Sequence, residues 1–139
     1  MVERVLLVED DELLGVLFEL ALTEAGYLVV RVGGGVEAMA KLAAAPSIDL
    51  VVTDIALGDG PDGWQVARRA RARSPDMPVI YMTGARGDEW RPQHVPLGVL
   101  LAKPFPIDQL VEMVGHLLSA HAEGGGARSR SQIRLASGE

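Results

Sequence analysis

The sequence contains no cysteine, which excludes disulfide bonds and thiolate metal sites. No apolar run approaches the ~20 residues of a membrane-spanning helix, and the N-terminus, with Glu3 ahead of only four apolar residues, is not a secretory signal. Basic residues are in the minority: 13 Lys and Arg stand against 19 Asp and Glu, a net charge of -6. This balance argues against binding a nucleic acid backbone. We therefore expect a cytoplasmic protein that binds neither nucleic acid nor membrane directly.

Short aliphatic runs alternate with segments of helical periodicity along the chain. The run RVLLV at residues 4–8 is continuous rather than alternating, which is typical of a strand buried on both faces. Similar runs predict strands at 27–32, 48–54, 78–83 and 99–103, and apolar spacing predicts helices between them and a final one from Ile107. Because parallel strands need crossover connections, this order predicts one doubly wound α/β domain over residues 1–122.

Two segments depart from this alternation. Between Gly84 and Gly98 the sequence holds two interior prolines, so a fourth helix there should be short or irregular. From Glu123 onward, EGGGARSRSQIRLASGE loses its apolar periodicity and is rich in glycine, serine and arginine. We expect residues 123–139 to be a disordered tail, or the start of a linker in a longer protein.

Polar residues follow four of the predicted strands at the point where each strand ends. They are Glu9 and Asp10 after the first strand, Asp54 after the third, Thr83 after the fourth and Lys103 after the fifth. In open α/β sheets the carboxyl ends of the strands form the ligand site. Carboxylates packed there repel one another, and a divalent cation with oxygen ligands relieves the repulsion. The pattern therefore predicts a Mg²⁺ site.

The same set of residues favours phosphoryl transfer. A carboxylate beside Mg²⁺ and a lysine is a plausible nucleophile, because the metal ion and the ammonium group neutralise the charge on the phosphoryl oxygens. A nearby hydroxyl can bind one of these oxygens. The product of such a reaction is an aspartyl phosphate.

Four motifs in this order resemble the receiver domain of two-component response regulators, of the single-domain type. They are VLLVEDDELL, DLVVTDIALGDGPDG, VIYMTG and LLAKPF, and the resemblance covers residues 3 to 121. It implies a flavodoxin-like fold with a five-stranded parallel sheet in the order 2-1-3-4-5. It also implies a signalling protein rather than a conventional enzyme, which takes phosphate from a sensor histidine kinase or phosphotransfer protein and hydrolyses it slowly.

The resemblance assigns a role to each strand-end residue. Asp54 corresponds to the phosphoacceptor, and the Mg²⁺ ligands are Glu9, Asp10, Asp54 and the backbone carbonyl of Ala56. Thr83 corresponds to the hydroxyl that binds a phosphoryl oxygen, and Lys103 to the lysine that pairs with Asp54 or its phosphate. The Lys103-Pro104 bond corresponds to a cis peptide in the family.

The sequence departs from the family pattern at three positions. Gly58 stands where the family usually has a proline, four residues after the phosphoacceptor, and Gly63 arrives one residue late. Leu100 occupies the position of the aromatic switch residue. These departures predict a loop of its own shape and a switch that does not use the usual pairing of threonine with an aromatic ring.

Other functions fit the residues less well. A phosphatase of the haloacid dehalogenase kind would need an acid two residues after the nucleophile, where this chain has Ala56. A phosphate-independent interaction module with the same fold is the main alternative. The four arginines at 68, 69, 71 and 73 form either a solvated helix face or a docking surface for an acidic partner. The sequence names neither the downstream target nor whether the chain acts alone or within a larger regulator.

Overall fold

The computed structural model describes residues 2–44, 47–84, 98–124 and 133–136. The strands are β1 (Arg4–Val8), β2 (Leu28–Val32), β3 (Leu50–Asp54), β4 (Val79–Thr83), β5 (Gly98–Ala102) and β6 (Ile133–Ala136). The helices are α1 (Glu12–Glu24), α2 (Gly35–Ala43), α3 (Gly63–Arg73) and α4 (Ile107–Gly124). None of the helices in these ranges has the length and apolar character needed to cross a bilayer.

All strand pairs are parallel, in the order β2-β1-β3-β4-β5-β6. The predicted order 2-1-3-4-5 is therefore confirmed for the first five strands. The chain reverses direction across the sheet after β2, because β1 pairs with β2 on one side and β3 on the other. The crevice that such a reversal opens lies beyond the carboxyl ends of β1 and β3.

The sheet separates two apolar cores. Alternate strand residues such as Leu6, Val51 and Tyr81 pack with α2 and α3 on one face. Their neighbours, such as Leu7 and Val52, pack with α1 and α4 on the other. Every residue of β3 and β4 is buried, which explains why these strands read as continuous rather than alternating runs.

The sixth strand corrects the prediction of a disordered tail for four residues. Ile133–Ala136 pairs with β5 in parallel register, from Gly98 opposite Ile133 to Leu101 opposite Ala136. The edge of β5 offers unpaired backbone N–H and C=O groups, so main-chain pairing can order a segment whose apolar run is too short to predict a strand. Helix α4 also continues to Gly124, past the predicted domain boundary at residue 122. Residues 125–132 and 137–139, and the predicted irregular helix within 85–97, lie outside the described residues.

Candidate functional site

A lysine bridges two buried carboxylates at the carboxyl end of the sheet. The Nζ atom of Lys103, just after β5, lies 2.7 Å from Oε1 of Glu9 and 2.8 Å from Oδ1 of Asp54. Glu9 follows β1 and is 2% exposed, and Asp54 ends β3 and is 5% exposed. Three of the residues predicted from strand ends therefore meet in one hydrogen-bonded cluster.

Backbone groups hold the remaining oxygens of the two acids. The amide of Asp11 donates to Oε2 of Glu9 at 3.0 Å, so both oxygens of Glu9 are engaged. The amide of Asp10 lies 3.4 Å from Oδ2 of Asp54, a long and weak contact. Among the contacts of the described residues, Oδ2 of Asp54 is thus the oxygen of this cluster that is least tightly held.

The position of Asp54 is also fixed through its main chain. The hydroxyl of Thr53 donates to the carbonyl of Asp54 at 2.9 Å, within the buried interior. The amide of Ile55 donates to the carbonyl of Met82 on β4 at 2.9 Å. The second bond extends the strand pairing beyond Asp54, and the two bonds together hold the backbone that carries its carboxylate.

The electrostatics of the cluster favour a proton on Asp54. Burial, together with hydrogen bonding to Glu9, raises the pKa of Asp54 to about 8, because Lys103 offsets only part of this rise. Burial alone would lower the pKa of Lys103, but its bonds to Asp54 and Glu9 outweigh burial and the pKa is raised. The lysine is therefore charged, and two acids share one positive charge.

The acids could hold a divalent cation. Ligand oxygens of Glu9, Asp10 and Asp54 all lie within 4.8 Å of one another, whereas oxygens bound to one Mg²⁺ are at most roughly 4.2 Å apart, given bonds of about 2.1 Å. A small inward movement of the carboxylates would bring their oxygens to this separation, and a water could also replace one of them as a ligand. Asp10 is exposed while the other two are buried, so the donor set fits an ion that retains part of its hydration shell.

The remaining predicted residues lie at the same end of the sheet. Thr83 ends β4 and is 5% exposed, and its carbonyl accepts from the amide of Lys103 at 2.8 Å. In the part of the chain that the structure describes, its hydroxyl is not bonded to the acids. Ala56 is exposed and lies in the loop after β3. The Lys103-Pro104 peptide bond is cis, as predicted.

The structure of the loop after Asp54 explains why glycine stands at positions 58 and 63, where the sequence departs from the family pattern. Gly58 has a φ of 76°, which proline cannot adopt because its ring fixes φ near −65°. At Gly63 a methyl group would overlap the carbonyl oxygen of Asp54 and lie 2.8 Å from the Cα atom of Ile55. The first residue of α3 therefore packs directly against the backbone of Asp54.

Sequence reasoning did not find the structural roles of Thr53 and Gly63. A threonine inside an apolar run and a glycine at a helix start are common, so neither carries a signal without the fold. The unusual spacing of Gly63 from Asp54 was the one visible hint.

This chain matches the family model described as response regulator receiver domain over residues 5–115. The chain belongs to this receiver family. A response regulator receiver protein from Sinorhizobium medicae WSM419 has a TM-score of 0.81 and 44% identity, over 86% of this chain and 96% of that one. The receiver domain from the hybrid histidine kinase CckA has a TM-score of 0.68 and 29% identity, over 83% of this chain and 98% of that one.

Among curated proteins, the receiver is similar to a probable transcriptional regulatory protein, SilR, of Salmonella typhimurium. The two are 34% identical over 135 residues, which is 96% of this chain and 57% of SilR. The transcriptional regulatory protein CusR of Escherichia coli K12 is 33% identical over 117 residues, 83% of this chain and 51% of CusR. The chain thus spans about half the length of the curated relatives that it matches.

Proposed function

We propose that this receiver accepts a phosphoryl group on Asp54 and thereby changes its affinity for a protein partner. The observation that carries the proposal is the bridge from Lys103 to Oδ1 of Asp54, which leaves the weakly held Oδ2 as the nucleophile. Through this reaction the protein would act in phosphorelay signal transduction in the cytoplasm.

The proposed step transfers a phosphoryl group from a phosphohistidine. Oδ2 of Asp54 forms a bond to phosphorus while the phosphorus–nitrogen bond breaks, and the histidine nitrogen keeps the electron pair and takes up a proton. The ammonium group of Lys103 stays near the carboxylate and neutralises charge on the transferred group. The hydroxyl of Thr83, at the end of the neighbouring strand, donates to a phosphoryl oxygen.

Asp10 and Asp54 would hold Mg²⁺ directly, with Glu9 acting directly or through water, because both oxygens of Glu9 already accept hydrogen bonds. The carbonyl of Ala56 is a further proposed ligand. When bound, the ion would supply positive charge to the phosphoryl oxygens. Self-catalysed hydrolysis of the product is expected to be slow, since the side chain of Ala56 offers an attacking water no hydrogen bond.

The phosphodonor is proposed to be a sensor histidine kinase or a histidine phosphotransfer protein. Helix α1 begins at Glu12, directly after the acids of the site, and exposes leucines 13, 17 and 20 at helical spacing. Leu13 is 67% exposed and Leu20 is 55% exposed. A helix that carries the phosphohistidine could bury this apolar stripe while presenting its imidazole to Asp54.

Intact mass spectrometry tests the phosphoacceptor. The protein is incubated with acetyl phosphate, with Mg²⁺ or with a chelator, beside Asp54→Asn and the control Asp59→Asn, which alters an exposed acid in the same loop. We expect one phosphoryl adduct that requires Mg²⁺, is absent from Asp54→Asn and persists in Asp59→Asn. An adduct on Asp54→Asn would contradict the assignment, and no adduct on the wild type would favour a phosphate-independent module.

Phosphotransfer profiling against purified histidine kinases of the same organism tests the donor surface. Leu17→Gln is expected to slow transfer from the cognate kinase while leaving labelling by acetyl phosphate unchanged. Val36→Gln is the control, because Val36 is a 66% exposed apolar residue on α2. Equal transfer rates for both variants and the wild type would contradict docking on α1.

A further inference from the structure

Helix α3 concentrates positive charge in an otherwise acidic protein. Its eleven residues, GWQVARRARAR, include four arginines and no acid, whereas the whole chain carries a net charge of -6. Arg68, Arg69 and Arg73 are exposed, and we call these three residues the arginine face. In the described part of the chain, Arg68 and Arg69 form no ion pair.

Favourable interactions of the arginines with α3 itself and with α2 explain only some of these four residues. Arg71 and Arg73 lie in the last turn, where positive charge interacts favourably with the helix dipole. Arg73 also donates to the carbonyl of Leu42 at the end of α2. Neither explanation covers Arg68 and Arg69 in the middle of the helix, and like charges three or four residues apart disfavour a helix. Their placement therefore points to a binding role.

The start of α3 is tied to the proposed phosphoacceptor. The amide of Gly63 donates to the carbonyl of Ile55 at 2.8 Å, and Gly63 leaves no room for a side chain against the backbone of Asp54. Asp62 and Gln65 fix this end of the helix through reciprocal capping bonds. A shift of the backbone at Asp54 would thus displace α3.

A second contact joins α3 to the strand that carries Thr83. The ring of Trp64, the second residue of the helix, packs on that of Tyr81 with centroids 4.5 Å apart. Tyr81 lies two residues before Thr83 on β4, is fully buried, and its hydroxyl finds no hydrogen-bond partner among the described residues. A buried hydroxyl without a hydrogen bond costs free energy. A small movement of α3 against β4 that gave this hydroxyl a partner would recover part of that free energy.

We propose that the arginine face docks an acidic segment of a protein partner, and that the state of Asp54 changes the affinity of this docking. The second part rests on the proposed function. A nucleic acid fits the surface less well than a short acidic segment, because its continuous run of phosphates would extend past the arginine face and meet the acidic remainder of the molecule. Guanidinium groups instead pair with carboxylates through two parallel hydrogen bonds.

Fluorescence anisotropy with a fluorescein-labelled oligoglutamate peptide tests the docking. The double variant Arg68→Gln with Arg69→Gln is compared with the wild type and with Lys41→Gln, which removes an exposed charge from the last turn of α2. We expect the double variant to bind the peptide about tenfold more weakly and Lys41→Gln to bind it like the wild type. Equal binding by all three proteins, or tighter binding of an oligothymidylate probe than of the peptide, would overturn the proposal.

Repeating the titration with Mg²⁺ and beryllium fluoride, which stands in for the phosphoryl group, tests the coupling. We expect the peptide affinity of the wild type to change by about threefold or more, and that of Asp54→Asn to stay constant. An unchanged wild-type affinity in protein that acetyl phosphate labels would overturn the coupling alone. A protein that binds the peptide but takes no phosphoryl group would instead contradict the proposed function.

Discussion

Adding Mg²⁺ to the protein at about pH 7 is expected to release close to one proton from Asp54. Burial, with a contribution from Glu9, raises the pKa of this carboxyl to about 8 despite the bond from Lys103. At about pH 7 a group with that pKa is ~90% protonated. Since a cation binds the carboxylate and not the acid, its binding would displace the proton.

The same linkage makes the apparent affinity for Mg²⁺ depend on pH. Below a pH of about 8 the apparent affinity for Mg²⁺ should rise about tenfold for each pH unit, and above it the affinity should level off. Isothermal titration calorimetry in two buffers of different ionisation enthalpy measures the number of protons released. Asp54→Asn has no carboxyl to ionise and should release almost none.

The same pKa predicts how stability depends on pH without metal. An unfolded Asp54 loses its proton near its ordinary pKa of 3.8, whereas the folded protein keeps it until about pH 8. The folded state therefore binds more protons between these values, and stability falls as the pH rises through this window. Urea unfolding should show this fall in the wild type, and saturating Mg²⁺ should remove it.

A clear result would refute this reasoning. If Mg²⁺ binds at about pH 7 with no proton release, and its affinity is flat from about pH 6 to about pH 8, then Asp54 is already ionised. In that case the charge of Lys103 would outweigh the effect of burial.

Three substitutions give further predictions, each checked by urea unfolding. Lys103→Met leaves two buried acids without their shared cation. The free energy of unfolding should fall by about 3 kcal/mol without metal and by clearly less with Mg²⁺. An equal fall in both conditions would contradict the lysine bridge. Gly63→Ala should cost about 2 kcal/mol or more, because its methyl group meets the backbone at the end of β3. Gly33→Ala, which has open space around it, should change stability by less than about 0.5 kcal/mol. Gly58→Pro should cost about 2 kcal/mol because its positive φ is closed to proline, whereas Gly58→Asn should cost less.

The sequence allowed most of the fold to be predicted because its strands are buried on both faces. Runs such as RVLLV and LVVTD cannot lie at a surface, and their alternation with helical segments leaves few topologies. Strand β6 could not be found in this way. Its four residues, IRLA, are too short a run to indicate a strand within a segment rich in glycine, serine and arginine, and main-chain pairing with the edge of β5 gives them order.

The candidate site was predictable as a set of residues but not as a set of contacts. The rule that ligands bind at strand ends brought Glu9, Asp54 and Lys103 together. It did not show that the lysine binds both acids at once, because that depends on distances of a few tenths of an ångström. The roles of all six residues, Glu9, Asp10, Asp54, Ala56, Thr83 and Lys103, in binding Mg²⁺ or a phosphoryl group remain predictions.

The bond between Lys103 and Glu9 joins residues 94 positions apart in the chain, and this distance has a consequence for folding. Until β5 docks, Glu9 after β1 and Asp54 after β3 are brought together without a cation, so the cost of burying these two acids opposes closure of the sheet. When β5 docks, the ammonium group of Lys103 reduces that cost by binding both acids. The lysine bridge therefore requires β1, β3 and β5 to be in place together, and a chain in which β5 has not docked would lack it.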